Sequence, residues 1–120
     1  METFNITRLY ADEQGESRFA EVAIALERGG PIGFLSPAQA VQSVIFRKVL
    51  PTYDYAFHTA PQRQYIVLLD GEIEIETSLG EKRRFGAGDV LLVEDVAGKG
   101  HRTRNLQPVE RKYIFITLPD

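Results

Sequence analysis

Hydrophobic and polar residues alternate with a period of two over most of the chain, and short turn signals interrupt them every few residues. Phe4 to Tyr10 reads as a first strand. A polar, turn-rich stretch over 11–17 then reverses the chain. From Phe19 on, Val22, Ile24 and Leu26 fall on one face, with Glu21, Ala23, Ala25 and Glu27 on the other, as in a half-buried strand. Gly29 to Gly33 breaks regular structure, and 34–42 carries no readable period. Ser43 to Leu50 is extended again and is stopped by Pro51. Tyr53, Tyr55 and Phe57 then alternate with Asp54, Ala56 and His58, so an unbroken strand puts the three aromatics on one face and His58 on the other.

Tyr65 to Leu69 is apolar on both faces, as in a strand between two layers. Asp70-Gly71 predicts a tight hairpin, because glycine supplies positive φ cheaply. Glu72 to Glu76 alternates cleanly, Leu79-Gly80 marks another turn, and Val90 to Val93 and Arg111 to Leu118 supply two more apolar strands. With many short strands and no helical stripe, the chain is expected to be all-β, an antiparallel sandwich or barrel. The unpaired edge at Phe4 to Tyr10, and apolar outer faces at Tyr65-Val67-Leu69 and Tyr113-Phe115, predict a homodimer.

The length of 120 residues and the 43% apolar content suit a single domain over 1–120 with one core. Fourteen basic residues are interspersed among seventeen acidic ones for a net charge of -3, which argues against a nucleic-acid partner. The chain has no cysteine, so disulfides, thiolate nucleophiles and Cys-ligated zinc are excluded. The beginning of the sequence, Met1 to Ile6, lacks a secretory pattern and no apolar run approaches membrane-spanning length, so no membrane association and a cytoplasmic location are expected.

The chemistry concentrates between Phe57 and Asn105, where the chain's two histidines stand. His58 and Gln64 precede Gly71 in the order His58-x-Ala60-x(3)-Gln64-x(6)-Gly71. Further on come Phe85-Gly86-Ala87-Gly88-Asp89-Val90 and then Gly98-x(2)-His101-x(3)-Asn105. This arrangement resembles the two motifs of the cupin superfamily, G-x(5)-H-x-H-x(3,4)-E-x(6)-G and G-x(5)-P-x-G-x(2)-H-x(3)-N. The match covers about the C-terminal half of the chain. It implies an antiparallel jelly-roll β-barrel.

In the metal-binding members these positions carry three histidines and a glutamate. Here Ala60 has no donor atom, and Gln64 replaces the carboxylate with a neutral amide. Val96 stands where the proline would be. The resemblance thus implies at most one weakly held divalent ion, Zn²⁺, Ni²⁺ or Fe²⁺, at His58, Gln64 and His101. Packing histidines are as common in such barrels as ligating ones.

Tyr53, Tyr55 and Asn105 are candidates to line a pocket for a small organic ligand, with either tyrosine as a proton donor, although aromatic stripes are more often core or interface. Arg63, Arg83, Arg84, Arg102 and Arg104 suit anionic ligands, but each reads first as a surface arginine. Glu94 and Asp95, as neighbours on a strand, splay to opposite faces, which argues against a shared acid–base role. Three readings follow. The chain is a ligand-binding cupin with metal-dependent isomerase, lyase or dioxygenase activity, or a metal-free, non-catalytic ligand-binding or sensory barrel, or a structural homodimer. The catalytic residues are not legible in the sequence, and fold alone does not choose among the readings.

Overall fold

The computed structural model describes residues 2–120; Met1, where the expected domain begins, lies outside them. Twelve strands follow one another: β1 (Thr3–Ala11), β2 (Ser17–Ala25), β3 (Glu27–Arg28), β4 (Phe34–Leu35), β5 (Ser43–Val49), β6 (Asp54–His58), β7 (Gln64–Leu68), β8 (Glu72–Thr77), β9 (Lys82–Gly86), β10 (Val90–Val93), β11 (His101–Asn105) and β12 (Arg111–Thr117). A single 3-10 turn at Gly30–Ile32 is the only helical element among the described residues. The expected all-β fold is observed. No helix is long and apolar enough to cross a membrane.

The strands form a six-stranded sheet, β2-β1-β10-β7-β12-β5, facing a four-stranded sheet, β6-β11-β8-β9, with β3 and β4 as a separate ribbon. Period-two alternation decides what lies between the sheets. Leu9, Leu68, Ile73, Ile75, Leu91 and Val93 are buried there, and Tyr113 and Phe115 point inward from β12. Their inward direction corrects the expectation that Tyr113 and Phe115 form an outer apolar face. The outer residues of β12 are Ile114 and Ile116, which are half-buried.

Among the described residues β1 and β10 pair in parallel and the other strand pairs are antiparallel. One further expectation is corrected. Asp70-Gly71 does not close a hairpin, because β7 pairs with β10 and β12 whereas β8 pairs with β9 and β11. The turn carries the chain from one sheet to the other. Gly71 has φ 62°, and a Cβ there would lie 2.4 Å from Cδ of Arg111, so close packing as well as backbone conformation requires glycine. The hairpins between consecutive strands are β1–β2, β3–β4 and β8–β9. In the first, the Asp12 carboxylate accepts the backbone N–H groups of Gln14 and Glu16 and so fixes the turn.

Residues 27–46 form an arm without a single buried residue. It carries Ile32, Phe34, Leu35, Val41, Val44, Ile45 and Phe46, each between 44% and 79% exposed, and it ends in β5 at the edge of the larger sheet. These side chains have no core to join within their own chain.

The approach of β11 to β6 depends on one glycine. Gly100 has φ 76°, and a Cβ added to it would lie 2.1 Å from the carbonyl oxygen of His58. Gly100→Ala therefore combines left-handed backbone strain with a clash against main chain, and should cost about 3 kcal/mol. Gly80→Ala, at φ 88° but with nothing near its added Cβ, should cost about 1 kcal/mol. Urea unfolding of the two variants measures the difference, and equal costs would show that the close approach carries no energy.

Candidate functional site

A cavity of about 390 Å³ opens between the two sheets, within the size range of small-molecule sites. Ile73, Ile75, Leu91 and Val93, all nearly inaccessible, form its floor. The half-exposed Ile45 of β5 and Tyr55 of β6 stand at its mouth. His58, Ala60, Gln64 and His101 all contribute to its wall, as do Tyr53 and Tyr55.

His101 begins β11, and its Nδ1 lies 2.6 Å from Oδ2 of Asp95, with the histidine 5% and the aspartate 0% exposed. Because the carboxylate accepts, Nδ1 carries a proton, so Nε2 is the lone-pair nitrogen of the neutral ring, and it has no hydrogen-bond partner among the described residues. The other carboxylate oxygen of Asp95, Oδ1, is buried without a hydrogen bond. In the sequence Asp95 is weighed only with Glu94 as a shared acid–base pair, yet it has the parity of Leu91 and Val93, the inward residues of β10. Its neighbour Glu94 turns outward as expected and binds Arg8 and Arg63 at 2.5 and 2.6 Å. Burial pushes the Glu94 carboxyl up, but the two guanidinium groups together hold it below its ordinary value.

His58 stands directly across from His101, their rings 4.5 Å apart at the centroids. Its ring stacks on Tyr55 at 3.7 Å, whereas an unbroken strand would have separated the two. A bulge provides the reason. His101 pairs with His58 and Thr103 with Tyr55, so β6 spends one more residue than β11 over the same span and the parity reverses. Within this irregularity the carbonyl oxygen of Ala56 accepts from His58 Nδ1 at 2.8 Å. Nε2 is again the lone-pair nitrogen. Burial lowers the His58 pKa, and the neighbouring His101 and Arg47 add to the effect, so the ring is neutral at pH 7.

Gln64 is 6% exposed and lines the cavity, and its side-chain amide has no hydrogen-bond partner among the described residues. Burial raises the Tyr53 pKa, and Tyr113, on the same wall, is pushed up to about 12 by burial, so both phenols remain protonated donors. Thr103 and Arg47 also face the cavity, and neither was singled out in the sequence. Asn105 lies outside this cavity and borders, with Tyr53, a separate depression between the segments around Pro51 and Leu106; its Oδ1 accepts from Arg111 at 2.7 Å and its Nδ2 donates to the carbonyls of Leu50, Pro51 and Val109. It ties the loops flanking β6 and β12 together. Arg63, Arg83, Arg102 and Arg104 are paired with Glu94, Glu21, Asp54 and Glu74 outside the cavity, and Arg84 is exposed on β9.

The donors that meet in the cavity do not fit a resident divalent metal. His58 and His101 offer two imidazole nitrogens and Gln64 a neutral oxygen, while Asp95 is committed to His101 and Ala60 offers nothing. Among the described residues no three His, Asp or Glu side chains converge. An ion there would lack the anionic ligand that offsets its charge.

No protein-family profile matches the sequence, and no curated protein matches it. Solved structures do share the fold. A sugar phosphate isomerase of the cupin superfamily from Silicibacter pomeroyi aligns with a TM-score of 0.52 at 14% identity, covering 99% of this chain and 73% of that one. A Neisseria meningitidis protein aligns with a TM-score of 0.51 at 20% identity over 63% of this chain and 72% of its own. The chain has a cupin-like fold.

Restoring the missing ligands tests whether positions 58, 60, 64 and 101 meet closely enough to share an ion. The double variant Ala60→His, Gln64→Glu should bind Zn²⁺ or Ni²⁺ roughly tenfold or more tightly than the natural sequence in calorimetric titration. The same heat of binding in both proteins, including none in either, would mean that the four side chains do not converge.

Proposed function

We propose that this cupin-like chain binds a small organic ligand between its sheets and moves protons on it, in the manner of an isomerase, without a resident metal. The observation that carries this reading is the buried hydrogen bond between Asp95 and His101. It fixes the tautomer, aims a basic Nε2 at the cavity and stabilises the imidazolium that forms when His101 takes a proton. His101 is the base, and Asp95 is a positioning residue. Across the cavity the neutral His58 offers a second Nε2, and Tyr53 is a protonated donor able to meet a developing oxyanion. A solved structure of the same fold is a sugar phosphate isomerase, so the fold accommodates such chemistry.

Exchange of carbon-bound protons tests the reading. In D₂O the protein should accelerate deuterium incorporation next to the carbonyl of at least one of 2-oxobutyrate, dihydroxyacetone and dihydroxyacetone phosphate. His101→Gln should abolish the acceleration. Asp95→Asn should lower it about a hundredfold or more and alter its pH profile. Binding of these compounds without exchange above the His101→Gln background would instead identify a non-catalytic ligand barrel.

The reading includes a homodimer, with a second copy covering the arm at 27–46. The apolar residues from Ile32 to Phe46, together with Leu50, are between 44% and 79% exposed and lie along one continuous stretch of chain. The β5 edge adds unpaired backbone groups to the same strip. Because Ile45 belongs both to this strip and to the cavity mouth, a partner seated there would wall the ligand in. Light scattering at micromolar concentration should give twice the 13.5 kDa of the chain. Phe46→Asp should shift it to the monomer, and a monomeric natural protein would remove the dimer from this reading.

A further inference from the structure

We infer that the cavity selects an organic anion, a carboxylate or phosphate compound, whose charge is met by Arg47. The inference rests on the ligand-binding reading above and names the chemical class of what is bound.

Arg47 lies on β5 opposite Tyr113 of β12, and its side chain enters the cavity wall. Its guanidinium stands 5.1 Å from the ring centre of Phe115 and 5.7 Å from that of Tyr53. Two aromatic faces therefore hold the cation where it is. No carboxylate lines the cavity. Among the described residues Arg47 forms no ion pair, whereas Arg8, Arg18, Arg63, Arg83, Arg102 and Arg104 on the outer surface each have a carboxylate partner. Arg28 and Arg84, both exposed, and Arg111 also lack a carboxylate partner, but of these four Arg47 is the one that lines the cavity.

The surrounding charges reinforce it. Arg111, fully buried behind Tyr113, is bound by the Asn105 and Asp70 carbonyl oxygens and the Tyr113 hydroxyl, and by no carboxylate. The nearest buried anion, Asp95, is turned onto His101. A ligand in the cavity thus meets one uncompensated cation at the wall and another behind it. A guanidinium fork matches carboxylate and phosphate oxygens two at a time, so an anionic ligand would also be oriented with its uncharged part toward His58 and His101.

The chain has only two histidines and both face this cavity, so their ring-proton NMR signals report occupancy without a label. The probes are 2-oxobutyrate, its neutral counterpart 2-butanone, and inorganic phosphate. In the natural protein 2-oxobutyrate, phosphate or both should shift the histidine signals with an affinity at least about tenfold above that of 2-butanone. Which of the two anions binds more tightly distinguishes a carboxylate from a phosphate ligand. Arg47→Gln should erase the preference and Arg47→Lys should keep part of it, with the loss in anion affinity exceeding any change in 2-butanone affinity. The comparison of probes in the natural protein stands even if a variant folds poorly. Equal binding of 2-butanone and the anions, or a preference that survives in folded Arg47→Gln, would overturn the anion inference and leave the cavity as a neutral-ligand site. If no probe moves either signal, the anion inference and the ligand-binding reading both fall.

Discussion

The candidate site depends on a carboxylate held out of water. Asp95 is fully buried, and a buried carboxylate with too few partners is costly, by several kcal/mol before any compensation. One oxygen is compensated by the N–H of His101, while the other has no hydrogen bond in the protein. Such an arrangement persists only where the surrounding structure leaves no cheaper alternative. The Asp95 main-chain carbonyl accepts from the Ala60 N–H at 3.1 Å, which ties the loop after β10 to the segment between β6 and β7. Ala60 is itself buried at 4% exposure. The same backbone contact that holds Asp95 in place therefore also brings the first-motif region beside His101.

His58 and His101 are prepared in the same way by different partners. A carboxylate accepts from Nδ1 of one and a backbone carbonyl from Nδ1 of the other, so both present Nε2 to the cavity. Rings 4.5 Å apart cannot both become imidazolium cations cheaply, because like charges at that separation repel by several kcal/mol at the effective dielectric of a protein. Only His101 has a carboxylate against it. His58, stacked on Tyr55 and partly desolvated, is the ring that stays neutral, and the asymmetry assigns different roles to two residues of one type.

Strand parity made much of this legible in advance, and its failures are local. The inward set of β7, Gln64 with Ile66 and Leu68, follows from the alternation, as does the outward set of Arg102 and Arg104 on β11. The motif spacing brought His58, Gln64 and His101 forward together, and all three line one cavity. Parity failed at β6, where a single extra residue reversed it, and no turn residue between Asp54 and His58 marks the bulge. It failed again at Asp70-Gly71, because the same dipeptide serves a sheet-to-sheet crossing as well as a hairpin. Asn105 has the parity of His101 and Thr103 but lies at the end of β11, where loop contacts rather than the cavity take its amide. Arg47 was hidden for a different reason: whether an arginine is paired depends on carboxylates distant in sequence.

The arm and the cavity are linked through β5. On one face of this strand Arg47 and Ile45 look into the cavity, and on the other Val44 and Phe46 lie 51% and 79% exposed. Alternation along one edge strand thus divides its residues between ligand and surface, and a change in the position of the strand reaches both. Seven backbone pairs to β12 hold the register of β5, from Arg111 with Val49 to Thr117 with Ser43. The opposite edge of β5 is unpaired. A strand anchored on one side only has its remaining freedom on the other, where a second copy would add its own ladder. Arg47 thus stands on a strand held from one side, two residues from Ile45 at the cavity mouth.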